Sequence, residues 1–130
     1  MKPGRQRTWG FRFSWSDGLA LLCFAGGAVG LWRMHSELWW LLLIEAVHFF
    51  VFCNVFRIVR PKELTWAALF LVNSCAWFVS GRLEWLPVFL TQLPISILVI
   101  AAEIRSPRYH GILAQRWNTN LGDYLEGRIP

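Results

Sequence analysis

Two ionisable side chains stand inside an apolar run. They are Glu45 and His48, in the stretch LWWLLLIEAVHFFVFCNVF that fills residues 38–56. Three positions apart on a helix, they are separated by about 60° around the axis and share a face. Ionisable groups within a membrane span cost roughly 2.5–3.5 kcal/mol on insertion scales, and they turn toward a protein interior or a water-filled cavity. A carboxyl and an imidazole at that depth have the chemistry of a proton relay. The spacing is also half of the Glu-x-x-His pattern of di-iron bundles, which needs a second such motif and two more carboxylates. Glu37, Glu63, Glu84 and Glu103 fall at span ends instead. A b-type haem asks for two axial ligands within the spans. His48 is alone there, with His35 in a loop and His110 in the tail. No nucleophile–base pair, metal-ligand pair or glycine-rich phosphate loop is visible. No catalytic residue, metal or cofactor is therefore expected, and a non-enzymatic role is favoured.

The elements that must hold Glu45 and His48 follow from hydropathy. Hydrophobic residues make up 55% of the 130-residue chain and charged residues 16%, against about 25% charged in soluble domains. Four apolar runs emerge, at about 18–32, 38–56, 64–80 and 85–102. Ser14 and Asp17 have capping-box spacing before the first. Pro61 suits the first helical turn leading into the third. Pro94 lies mid-way along the fourth, where it bends a helix and frees the carbonyl of Leu90. The short connections make successive spans antiparallel neighbours. The expectation is an all-α, four-helix antiparallel membrane bundle over residues 14–102, after a basic segment 1–13 and before a short tail 103–130. The first run also has the pattern of a signal peptide, but its cleavage would break the charge alternation that comes next.

Basic residues cluster on one side of that arrangement. Lys2, Arg5, Arg7, Arg12, Arg57, Arg60, Lys62, Arg105, Arg108, Arg116 and Arg128 fall there, and only Arg33 and Arg82 fall on the other. The positive-inside rule then puts both termini in the cytoplasm of a bacterial-type inner membrane. Tryptophans agree: Trp9, Trp15 and Trp66 fall near the inner boundary, and Trp32, Trp39, Trp40, Trp77 and Trp85 near the outer one, as aromatic belts do. The net charge of +5 is explained by these flanks, so nucleic acid is not an expected partner.

At a rise of about 1.5 Å per residue, Glu45, His48, Asn73 and Gln92 all fall in the middle third of a span. They are expected to form one buried polar cluster, with Ser74 and Thr91 beside it. Such groups either link helices or act on protons. Gly26-x-x-x-Gly30 in the first span has the small-residue spacing that lets helices approach closely. Arg57, Arg60 and Lys62 form a basic loop suited to anionic headgroups or an acidic partner, and Asn54 lies one turn before it. Cys23, Cys53 and Cys75, odd in number and without paired spacing, are expected to be small buried hydrophobes. In the tail, Ile112, Leu113 and Trp117 suit a short interfacial turn, and residues 118–130 read as turns and loop.

In size, span count and possession of one membrane-embedded glutamate the chain resembles the small multidrug transporters. Their acid lies in the first span, whereas Glu45 lies in the second, so no residue role is carried over. The expected role is a non-catalytic accessory or assembly subunit of a larger membrane complex, contacting the bilayer and other membrane subunits or a second copy. The alternatives are a small homo-oligomeric transporter or proton pathway centred on Glu45 and His48, and a haem- or metal-dependent membrane enzyme using His48.

Overall fold

The Ser14–Asp17 pairing starts the first helix. Both the backbone N–H and the hydroxyl of Ser14 donate to Asp17 Oδ2 at 2.7 Å, which satisfies groups that a helix start leaves unpaired. The computed structural model describes residues 7–130, so Lys2 and Arg5 lie outside the described residues. It is all-helical: 69% helix, with no strand among the described residues.

Helix α1 spans Trp15–Arg33 and α2 spans Trp39–Phe50. A π-helical turn, Val51–Val55, continues α2. Helix α3 spans Arg60–Val79 and α4 spans Trp85–Ile104; two short helices follow, α5 at Ala114–Trp117 and α6 at Leu121–Leu125. Helix α3 begins four residues before the expected apolar run, because Pro61 sits in its first turn and the Lys62 and Glu63 N–H groups already bond Val59 O. Helix α4 runs unbroken through Pro94. Helices α1 and α4 are long and apolar enough to cross a membrane, and Trp39–Val55 is apolar but shorter.

The four long helices pair as two hairpins, α1 with α2 and α3 with α4. Gly27 faces α2 closely: a Cβ there would sit 2.9 Å from Leu42 Cδ1, the end of a side chain that can turn aside. Helix α2 joins the hairpins by touching α4 and by stacking His48 on Trp66 of α3. The core lies at that junction and consists of Phe52, Ile58, Trp66, Phe70 and Val88. Helix α1 stays peripheral, with Ala28 its one buried residue. Two cysteines depart from expectation: Cys23 and Cys75 are exposed, because each lies on the side of its helix turned away from the junction.

The tail also differs from its expected form. Tyr109, Ala114 and Leu121 make a second small core against Phe56 and Ile104. Asn118 Nδ2 ties it by donating to Pro107 O at 2.9 Å and Tyr109 O at 2.7 Å. The apolar residues are too sparse for a helical period, so only the folded-back path reveals them. Gly111 is required where this tail meets the end of the π-helical turn, since a Cβ would lie 2.5 Å from Phe56 O.

Candidate functional site: a hydrogen-bonded polar seam and a basic end

Trp66 is the centre of the seam. It is 2% exposed, packed between His48 at 4.2 Å and Phe70 at 5.2 Å between ring centroids. Its indole N–H donates to Ser96 Oγ at 2.8 Å. Ser96 Oγ lies 3.0 Å from His48 Nε2, and His48 Nδ1 lies 2.9 Å from Ile44 O. A backbone carbonyl only accepts, so Nδ1 carries a proton. In the neutral ring Nε2 then accepts, sharing the single Ser96 hydroxyl proton with Gln92 O at 3.2 Å. The order Trp66 to Ser96 to His48 to Ile44 thus crosses α3, α4 and α2.

A second set of bonds adjoins it. Thr91 Oγ1 donates to Asn73 Oδ1 at 2.9 Å, and Asn73 Nδ2 donates to Gln92 Oε1 at 3.2 Å and to Val88 O at 3.1 Å. Trp77 Nε1 donates to Thr91 Oγ1 at 3.2 Å. Gln92 is 1% exposed, and its Nε2 reaches Trp66 O at 3.5 Å. The structure therefore brings together His48, Asn73 and Gln92, but through Ser96 and Trp66. Sequence reasoning assigned Trp66 to the inner aromatic belt and passed over Ser96. The available signal was the four-residue spacing from Gln92, which puts Ser96 on the same face. Ser74 is adjacent in sequence only; its hydroxyl is buried without a partner among the described residues.

Glu45 is not part of the seam. It is half-buried and makes no hydrogen bond or ion pair among the described residues. It lines a cavity of about 180 Å³ together with Phe24, His48, Phe49, Glu63 and Trp66. One α1 residue, Phe24, and α2 and α3 residues wall the cavity. Glu45 and His48 share a helical face, as their spacing dictates, and both line this cavity, but only His48 reaches on to Ser96.

The three residues of the basic loop separate. Lys62 turns to α4, where its Nζ bonds Glu103 Oε2 at 2.8 Å and Ala102 O at 3.3 Å. Glu103 is 1% exposed, so this ion pair is structural. Arg57 and Arg60 instead face a cavity of about 360 Å³ that also receives Arg12 and Asp17. Arg57 adopts a left-handed backbone with φ of 51°, and Arg57 Nη1 donates to Thr8 O at 2.7 Å. Asn54 is buried behind the cavity and donates to Arg12 O at 2.6 Å and Asp17 Oδ2 at 3.0 Å. Sequence reasoning missed Arg12, because nothing local joins it to Arg57.

Above this cavity the N-terminal segment and the tail interlock. Gly10 N–H donates to His110 O at 2.9 Å. The Arg7 guanidinium lies 4.8 Å over the Tyr124 ring and donates to Tyr124 O and Ile129 O. Burial, and then the charge of Glu103, push the Tyr109 phenol up to about 12. Burial holds the His110 imidazole below its ordinary value. At Gly26 and Gly30 of α1 an added Cβ would meet nothing within 4 Å.

No known protein family, curated protein or solved structure matches the chain.

Proposed function

We propose that this chain is a four-span accessory or assembly subunit of a larger membrane complex in a bacterial-type inner membrane, with both termini cytoplasmic, and that it is not itself an enzyme. One observation carries the reading. In the expected polar cluster, His48, Asn73 and Gln92 are consumed in hydrogen bonds between helices: His48 ties one hairpin to the other, and Asn73 with Gln92 ties α3 to α4. Both His48 ring nitrogens are engaged, which counts against a haem or metal held there. Exposed Trp15 at one end and Trp32, Trp39 and Trp85 at the other support placement across a bilayer with headgroup belts. Helix α1 packs chiefly on α2, and a Cβ at its Gly26 or Gly30 would meet nothing within 4 Å, as suits a helix that meets another subunit or a second copy.

The test is the mass of the particle extracted in mild detergent, for the native chain and for Gly26→Leu with Gly30→Leu. Both side chains enter open space, so the fold is retained. The native chain is expected to run as a stoichiometric assembly that the double variant loses. A lone single-chain particle for the native protein overturns the reading.

A second reading rests on Glu45, whose carboxyl faces a cavity without a hydrogen-bond partner among the described residues. It is a proton pathway with Glu45 as the carrier. Proton-driven flux in liposomes that Glu45→Gln abolishes would favour it over the accessory role.

A further inference from the structure

The cavity at the basic end gathers Arg12, Arg57 and Arg60 with Asp17 and Glu63, and these charges do not cancel locally. Three guanidiniums face two carboxylates there; Asp17 keeps its charge, and its Oδ2 already accepts from Ser14 N–H, Ser14 Oγ and Asn54 Nδ2 at 2.7, 2.7 and 3.0 Å. Glu63 takes Arg60 at 3.9 Å and the Cys53 thiol at 3.4 Å. The Arg12 guanidinium has no hydrogen bond or ion pair among the described residues. Arg57 has one neutral partner, Thr8 O, and no carboxylate. Two like charges repel, and yet the backbone holds them beside one cavity. Arg12 is clamped from both sides, its N–H on Asn54 O at 3.0 Å and its carbonyl under Asn54 Nδ2 at 2.6 Å. Arg57 is aimed by a left-handed backbone that a side chain rarely adopts. Burial, then the charge of Arg12, pull the Arg57 pKa below its ordinary value. Strained, like-charged and unpaired arginines converging on a cavity describe a place for an anion.

A second cavity supplies the other half of a ligand. It holds about 710 Å³ and runs along the exposed side of α1 past Phe13, Trp15, Leu19, Leu22 and Ala25. Its lining and that of the basic cavity share Ser14. A polar, cationic pocket that meets a long apolar groove matches an amphipathic anion.

We propose that Arg12, Arg57 and Arg60 bind the phosphate of one anionic phospholipid, whose acyl chain lies in the groove along α1. The guanidiniums supply the forked donors that suit phosphate oxygens. Asp17 closes the pocket as the cap of α1 and takes no part in binding. Lys62, turned to Glu103, takes none either. The proposal rests on the membrane placement given above.

The experiment uses the full chain, delipidated in detergent and titrated with short-chain phosphatidylglycerol, phosphatidylcholine or inorganic phosphate, with binding read by native mass spectrometry. One phosphatidylglycerol per chain is expected. Arg12→Gln, which removes no internal contact, is expected to weaken it about fivefold, as is Arg60→Gln. Ala25→Trp, which fills the groove, is expected to weaken it too. Arg105→Gln with Arg108→Gln, exposed arginines outside the pocket, is expected to change it less than twofold. Equal losses from that control pair, or equal binding of phosphatidylcholine, overturn the site. Saturation by inorganic phosphate alone, with Ala25→Trp silent, overturns the lipid and leaves a free-phosphate site. A chain that stays soluble without detergent sinks the membrane placement instead, which is a separate failure.

Discussion

Replacing Ser96 by alanine removes an oxygen on which three helices depend. The hydroxyl accepts from Trp66 Nε1 at 2.8 Å and faces His48 Nε2 at 3.0 Å. Without it the indole N–H, in a residue 2% exposed, has no partner and no water. His48 Nε2 also loses its donor, although that ring is only half-buried. A buried polar group left unpaired costs about 1–3 kcal/mol, whereas an interhelical hydrogen bond within a bilayer averages about 0.6 kcal/mol. Two lost bonds, one of them fully buried, put the expected cost at about 2 kcal/mol. The assay is reversible unfolding by titrating dodecyl sulfate into mixed micelles, followed by tryptophan fluorescence and helicity. Ser96→Thr keeps the oxygen and is expected to cost less than half as much. A cycle of Ser96→Ala with Trp66→Phe is expected to show coupling of about 1 kcal/mol, because the two share one bond. A Ser96→Ala cost below about 0.5 kcal/mol, within the usual scatter of surface changes, together with an additive cycle, would refute the assignment of Ser96 as the link.

The same unfolding assay tests three other sites. Lys62→Met strands the Glu103 carboxylate, 1% exposed, and is expected to cost about 2–4 kcal/mol, with most of it recovered when Glu103→Leu is added; a single variant no worse than the double would discount the pair. Gly111→Ala drives a Cβ to 2.5 Å from Phe56 O, so about 1–3 kcal/mol and faster proteolysis of the tail are expected, and an unchanged cleavage rate would argue against close docking there. His110 has its pKa depressed by burial, opposed by its bond to Arg108 O, with Arg57 and Arg7 lowering it and Glu103 raising it. The unfolded chain therefore binds the proton more readily, so stability present above 6.5, the ordinary imidazole value, is lost as pH falls below it. The protection factor of the tail amides, their exchange relative to the base-catalysed rate of a free chain at the same pH, is expected to fall from about pH 7.5 to 5.5 in the native chain and to do so less in His110→Gln; equal falls in both would rule His110 out.

Hydropathy alone located the long helices to within a few residues, because an apolar run bounded by charges leaves little choice of length. Span depth brought Asn73 and Gln92 to a common level, and they bond directly. Depth does not report azimuth, however. Glu45 and His48 lie about 60° apart and both line one cavity, yet only His48 is aimed at Ser96. Trp66 was misjudged for a related reason: a tryptophan near a span end suits a headgroup belt as well as a core, and only its stacking on His48 decides. The basic end was the least legible. Arg12 and Arg57 are brought together by the Asn54 clamp, which no local pattern announces. The small core of Tyr109, Ala114 and Leu121 depends on a chain reversal and has no periodic signature.

The π-helical turn has a consequence for the order in which the chain is completed. Its widened backbone leaves Asn54 O to Arg12 N–H and Val55 O to Ile112 N–H, so one turn holds a segment made early and a segment made late. Arg7 goes further and bonds Ile129 O, 122 residues away. At roughly 5–20 residues per second, the segment ahead of α1 waits about 6–25 s after its own synthesis for that partner. The segment ahead of α1 is thus fastened late. A ribosome product that stops short of Tyr124 lacks both acceptors of Arg7, Tyr124 O and Ile129 O, and this leaves the segment ahead of α1 more open to proteolysis.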